Sequence, residues 1–203
     1  MIASLIRWMT GAQARWLGVD PIDSNGLIPQ RIYFANHQSN LDAPVIWAAL
    51  PTALRRRTRP VAARDYWEGN VLRRLLSRRV FHAVLIERQK VTKSNNPLSA
   101  MEAAIELGDS LIIFPEGGRL GDDEGNIGEF KPGLFHLARK HPTVQLVPVY
   151  LENLNRILPK GEFFPAPVLA AVTFGAPLKL EEGEDKSDFL NRAKLAIEKI
   201  GEE

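Results

Sequence analysis

Cysteine is absent from all 203 residues, which rules out disulfides, thiolate metal sites and a Cys nucleophile. No apolar run approaches the ~20 residues that cross a bilayer. Arg7 and Arg15 interrupt any apolar segment at the N-terminus that would serve as a signal peptide. A Gly-x-Ser-x-Gly elbow is missing, so no serine is set up as a nucleophile. The four histidines, His37, His82, His136 and His141, lack any metal-ligand spacing, and no metal is expected. Residues 121–129 are rich in Asp and Gly but do not match a calcium-binding loop; they read as a surface loop beside the site. Internal repeats and low-complexity tracts are absent too.

What remains is the composition of a folded body, 45% hydrophobic and 25% charged, long enough for one domain with a sizeable core. The formal charge of +2 hides an uneven distribution. Between Arg55 and Lys93, twelve Arg or Lys residues face only Asp65, Glu68 and Glu87, a local charge of +9 against −7 elsewhere. Such a block favours an anionic partner, or else forms a solvated face with arginines at helix ends. It lacks aromatic interleaving and any nucleic-acid-binding motif, so no nucleic acid is expected.

Residues 1–19 read as an amphipathic helix. Ile2, Leu5, Ile6, Met9, Ala12, Trp16 and Leu17 recur at helical spacing, while Arg7 and Arg15 lie off that stripe. With Trp8 and Trp16 suited to an apolar–water boundary, the helix either lies on a membrane or packs on the core. A turn-rich connector over 20–26 leads into residues 20–203, where β-rich runs alternate with helical patterns. Strands are expected at 31–35, 60–63, 81–87, 110–114, 145–151 and 169–174. Helices are expected at 43–50, 66–77, 98–107, 133–140 and 187–200, with Gly108 ending the third and Ser187 capping the last. The alternation predicts a single α/β domain with a mostly parallel, mixed sheet flanked by helices. In such sheets ligands gather beyond the carboxyl ends of the strands, so the polar residues that follow strands come first.

The first of these strands ends in Asn36-His37, and Asp42 stands five residues on, just before Pro44. A strand-to-helix turn brings that carboxylate back to the imidazole. One ring nitrogen is then held and the other is free to take a proton from a hydroxyl. This is the base-and-orienter half of a triad, with the nucleophile left to the substrate. Taken alone, the pair equally describes a helix cap beside a satisfied polar histidine. A second buried strand runs into Pro115-Glu-Gly-Gly-Arg119, where glycines permit close backbone approach and Arg119 offers a fork for phosphate. A third strand ends at Glu87-Arg88.

In order and spacing these segments resemble the glycerophospholipid acyltransferase family, which includes the lysophosphatidate acyltransferases. Asn36-His-Gln-Ser-Asn-Leu-Asp42 resembles its first block, Val84-Leu-Ile-Glu-Arg88 its second, Phe114-Pro-Glu-Gly-Gly-Arg119 its third and Val147-Pro-Val149 its fourth. Phe130-Lys-Pro-Gly133 is similar to the segment that commonly follows the third block. The resemblance implies that His37 deprotonates an acceptor hydroxyl and that Asp42 orients His37. It further implies that Arg88, Glu116, Gly117, Gly118, Arg119 and Lys131 serve the glycerol-phosphate part of the acceptor. No cofactor is implied beyond the acyl donor, acyl-CoA or acyl carrier protein. The implied reaction transfers a fatty acyl group to a lysophospholipid, foremost 1-acylglycerol 3-phosphate. Alternatives are a lyso-aminolipid acceptor or a non-catalytic module for anionic membranes. The expected location is peripheral, on the cytoplasmic face of a membrane. One departure stands out: Gly118 occupies a position where the family usually carries Thr or Ser.

Overall fold

The computed structural model describes residues 2–87, 95–118, 127–154 and 170–202. Seven strands form one sheet: β1 (Gln13–Trp16), β2 (Arg31–Ala35), β3 (Thr58–Ala63), β4 (Val84–Ile86), β5 (Ser110–Ile113), β6 (Gln145–Glu152) and β7 (Ala171–Phe174). They lie in the order β1-β7-β6-β2-β5-β3-β4. All neighbours are parallel except the antiparallel pair β6 and β7. The mixed, mostly parallel α/β sheet expected from the sequence is therefore the observed one.

Helices cover both faces, which is why every residue of central β2 is buried. Period-two alternation divides the core in two. Ile32 and Phe34 face the side packed by α6 (Pro97–Glu106), α7 (Gly133–Lys140) and α8 (Lys186–Glu202). Tyr33 and Ala35 face the side that holds Val45 and Ile46 of α2 (Asp42–Ala49) and Leu54 of α3 (Thr52–Arg56). At the head of β2, the buried Arg31 ties down the connector. Its guanidinium donates to the carbonyls of Asp20 (2.6 Å) and Pro21 (3.1 Å) and to the Gln145 side chain (2.9 Å). Three oxygens thus satisfy a charge that would otherwise be costly to bury.

The N-terminal expectation needs correction. Helix α1 spans only Ile2–Thr10, and residues 13–16 form edge strand β1 instead of continuing it. Gly11 takes a left-handed φ of 59°, which ends the helix. Leu17 N–H then donates to Phe174 (2.7 Å) and Gln13 N–H to Ala170 (3.1 Å), so sheet pairing overrides the helical spacing. Trp16 consequently stacks on Phe174 with ring centroids 4.1 Å apart. The expected helix over 66–77 is also interrupted. It divides into α4 (Arg64–Glu68) and α5 (Val71–Leu75), because Asn70 caps a new start by accepting from Leu72 N–H at 2.8 Å. α5 runs on into a widened π turn, Leu76–Val80, where Phe81 N–H reaches back to Leu76. Helix α3 was not foreseen. Gly108 does follow α6 with a positive φ of 84°. Ser187, however, lies inside α8; Asp185 stands before it, its carboxylate accepting from the Ser187 hydroxyl. No helix among the described residues is long and apolar enough to cross a membrane.

Phe174 joins β7 to both β1 and β2, through Trp16 and an edge contact with Tyr33 at 5.7 Å. Phe174→Ala should therefore lower unfolding free energy by about 3–5 kcal/mol in urea denaturation. A loss below about 1 kcal/mol would mean that β1 is held by something else.

Candidate active site

The carboxyl ends of β2 and β5 lie side by side, and the turns that leave them form the site. Asn36 continues β2 past its last residue. Its carboxamide accepts from Leu151 N–H (2.8 Å) and donates to Leu151 C=O (3.1 Å), as a backbone unit would. That two-way bond to β6 fixes where the chain turns at His37.

Asp42 opens α2 and is fully buried, 0% exposed. Its Oδ2 accepts from three donors: His37 Nδ1 at 2.8 Å, Gln38 N–H at 2.6 Å and Ser39 N–H at 2.8 Å. Burial pushes the Asp42 carboxyl above its ordinary value, and the bonds from His37, Ser39 and Gln38 oppose that shift. The N-terminus of α2 also favours negative charge at this point. Because Nδ1 donates to Asp42, Nε2 is the nitrogen left with a lone pair. The His37 ring is 18% exposed and stacks on Phe114 at 4.4 Å, so both its angle and its tautomer are held.

The turn after β5 completes this wall. Gly117 has a φ of 73°, and a Cβ there would meet the Lys131 side chain at 2.5–2.6 Å. Only glycine satisfies both demands, and Lys131 lies directly across it. Gly118 differs: a Cβ there would meet nothing within 4 Å. Glu116 is part-buried and its two oxygens accept backbone N–H groups, from His37 at 2.9 Å and from Gly128 at 3.0 Å. Each such charge-assisted bond is worth roughly 1.5–3 kcal/mol.

His37, Gly117, Gly118 and Lys131 all line one cavity of about 510 Å³. Its remaining wall is largely apolar, with Val61 from β3, Ile86 from β4, Met101 from α6 and Leu134 from α7 among its side chains, closed on one side by Tyr66 and Trp67. Of the residues singled out in the sequence, Asp42 and Glu116 are not on the cavity wall but behind it. Arg88 and Arg119 lie outside the described residues, as does most of the 121–129 loop. Phe114 opens the third block but was not singled out as a site residue; an aromatic ring at the end of a buried strand is the signal that marks it.

Much of the basic block is used internally. Arg55 donates to the last carbonyls of α2 and lies over Trp47. Arg59 pairs with Asp109, Arg64 with Glu87, Arg78 with Glu68, and Arg73 covers the Tyr66 ring.

Comparison with known proteins agrees with this layout. A 1-acyl-sn-glycerol-3-phosphate acyltransferase of Limnanthes alba is 28% identical over 185 residues, which is 89% of this chain but 63% of the plant protein. The chain thus spans less than two thirds of that relative. The crystal structure of the 1-acyl-sn-glycerophosphate (LPA) acyltransferase PlsC from Thermotoga maritima matches with a TM-score of 0.74 at 18% identity. That match covers 99% of this chain and 76% of the other, and is a likeness of fold. Residues 27–152 match the family model described as Acyltransferase, a span that carries β2 to β6 and both turns of the site. With more than half of its residues inside that match, the chain belongs to the acyltransferase family.

Proposed function

We propose that the chain transfers a fatty acyl group from an acyl thioester, acyl-CoA or acyl carrier protein, to the hydroxyl of a lysophospholipid, foremost 1-acylglycerol 3-phosphate. The observation that carries this reading is His37, held from behind by the buried Asp42, on the wall of a largely apolar cavity that Lys131 also lines. Nε2 of His37 accepts the proton of the acceptor O–H as that oxygen bonds to the thioester carbonyl carbon. The C–S bond then breaks, and the departing thiolate takes the proton from Nε2. Asp42 keeps Nδ1 protonated throughout and stabilises the imidazolium that forms between the two steps. Gln38 and Ser39 N–H already bond Asp42, so neither is available to the oxyanion.

Lys131 is the cation this reading assigns to the acceptor phosphate. No carboxylate among the described residues pairs with it, and Gly117 leaves its ammonium room at the turn. The family resemblance adds Arg88 and Arg119 to the same role. The apolar part of the cavity suits acyl chains, for which each buried CH₂ contributes about 0.8 kcal/mol. The open space at Gly118 favours a second reading, in which the acceptor headgroup is bulkier than a phosphate, as in a lyso-aminolipid.

Membrane docking is the third element of the proposal. Helix α1 buries Ala3 and Thr10 but leaves Ile2, Leu5, Met9 and Trp8 exposed, the last at 82%. On α5, Val71, Leu72 and Leu75 are 73%, 63% and 53% exposed, and Arg73, Arg74, Arg78 and Arg79 lie in or next to that stretch. Apolar side chains among arginines suit an anionic bilayer surface, where each arginine adds about 1 kcal/mol. Such docking brings a lipid acceptor to a cavity walled by Tyr66 and Trp67 of the adjacent α4.

His37→Ala should lower kcat for thioester-dependent transfer by about 10²–10⁴-fold with an unchanged melting temperature. Retained turnover in a folded variant would exclude His37 as the base. Gly118→Ser should be tolerated in stability, and a panel of labelled acceptors should show its turnover shifting toward 1-acylglycerol 3-phosphate; an unchanged profile would remove Gly118 from acceptor choice. In co-sedimentation, the whole chain should pellet with phosphatidylglycerol vesicles and much less with phosphatidylcholine alone. Replacing both Leu72 and Leu75 with Asp should release it, and equal pelleting of that variant would rule out α5 as the contact.

A further inference from the structure

Three successive backbone N–H groups of the turn that carries the base are each taken by a carboxylate. Gln38 and Ser39 N–H donate to Asp42, and His37 N–H donates to Glu116 at 2.9 Å. The other Glu116 oxygen accepts from Gly128 N–H at 3.0 Å, three residues before Lys131. Lys131 N–H in turn donates to Pro115 C=O at 2.8 Å, next to Glu116 in the chain. One side chain therefore joins three segments: the His37 turn, the β5 turn and the segment that delivers Lys131.

From this we infer that Glu116 is a positioning residue that keeps the base in register with the β5 turn, and that it does not contact the acceptor. The inference rests on the reading of His37 as the base. Glu116 is absent from the cavity wall although its neighbours Pro115, Gly117 and Gly118 are all on it. A carboxylate facing an acceptor phosphate would also repel it, whereas one turned away onto two N–H groups has its charge stabilised by those donors. Its consequence is geometric. Phe114, in the same turn, stacks on the His37 ring, so a shift of that turn would move the imidazole and its backbone together. Misplacement of a reacting group by about 1 Å is enough to cost on the order of 10²-fold in rate.

Glu116→Gln separates the two roles, since it keeps the size and one acceptor oxygen but presents an N–H₂ to one of the two donors. Because Lys131 N–H keeps its own bond to Pro115 C=O in that variant, a positioning role predicts a kcat about 10- to 100-fold lower with the acceptor KM within about twofold. Glu116→Leu, which removes both acceptor atoms, should lie lower still. Acceptor affinity measured by calorimetry with 1-acylglycerol 3-phosphate should be the same, within about twofold, for His37→Ala and for His37→Ala with Glu116→Gln. A tenfold loss of affinity in the double variant would overturn the proposal and return Glu116 to the acceptor site. Amide hydrogen exchange tests it without any ligand: His37 and Gly128 should exchange at least about tenfold faster in Glu116→Gln. Unchanged exchange there contradicts the proposal, while its acceleration with no acceptor binding in any variant counts only against the assigned acceptor.

Discussion

A carboxylate with no contact to solvent sits at the start of α2, and the arrangement around it depends on how that charge is satisfied. Asp42 is held by three donors on one oxygen, and all three come from the six-residue stretch that begins at His37. The turn cannot open without leaving a buried carboxylate short of partners, which is costly. The geometry of the His37–Asp42 pair and the local fold are thus the same set of bonds. Burial pushes the Asp42 carboxyl above its ordinary value, and the bonds from His37, Ser39 and Gln38 oppose that shift.

Around this centre the sheet supplies rigidity. Asn36 welds the end of β2 to β6, Phe114 at the end of β5 packs on the imidazole, and Glu116 ties the same turn to the His37 backbone. Base, glycine turn and cation stand on three segments that diverge in sequence and meet beyond the carboxyl ends of adjacent parallel strands. That is where open α/β sheets gather ligands. Family membership and fold likeness agree with this geometry.

What was legible in the sequence followed from strong local signals. The buried β-rich runs Arg31–Ala35 and Gln145–Glu152 lie within a residue of expectation because both faces of those strands are covered. Asp42 could be set against His37 because Pro44 marks a first helical turn. The errors arose where tertiary contacts outweigh spacing. Trp16 and Leu17 fit a helical stripe, yet Gly11 and pairing with β7 turn that stretch into an edge strand. Asn70 breaks what looked like one helix, since its cap is worth more than continuity across Gly69. For Glu116, which the resemblance places at the acceptor, spacing does not show the backbone N–H groups of distant segments that its two oxygens accept. The arginine block, read from charge alone, is partly engaged within the chain: Arg59, Arg64 and Arg78 pair with Asp109, Glu87 and Glu68, and Arg55 and Arg73 lie on aromatic faces.

In the proposed reaction Asp42 and His37 act as one catalytic unit on the substrate's own hydroxyl. Asp42→Asn tests it most directly, because the amide keeps the volume but offers a neutral partner and permits the wrong imidazole tautomer. Steady-state transfer from an acyl thioester to 1-acylglycerol 3-phosphate should fall by up to about 10⁴-fold, as expected when an orienting carboxylate is lost. Acceptor KM should change little. A folded Asp42→Asn protein with kcat within a few-fold of the parent would contradict the account.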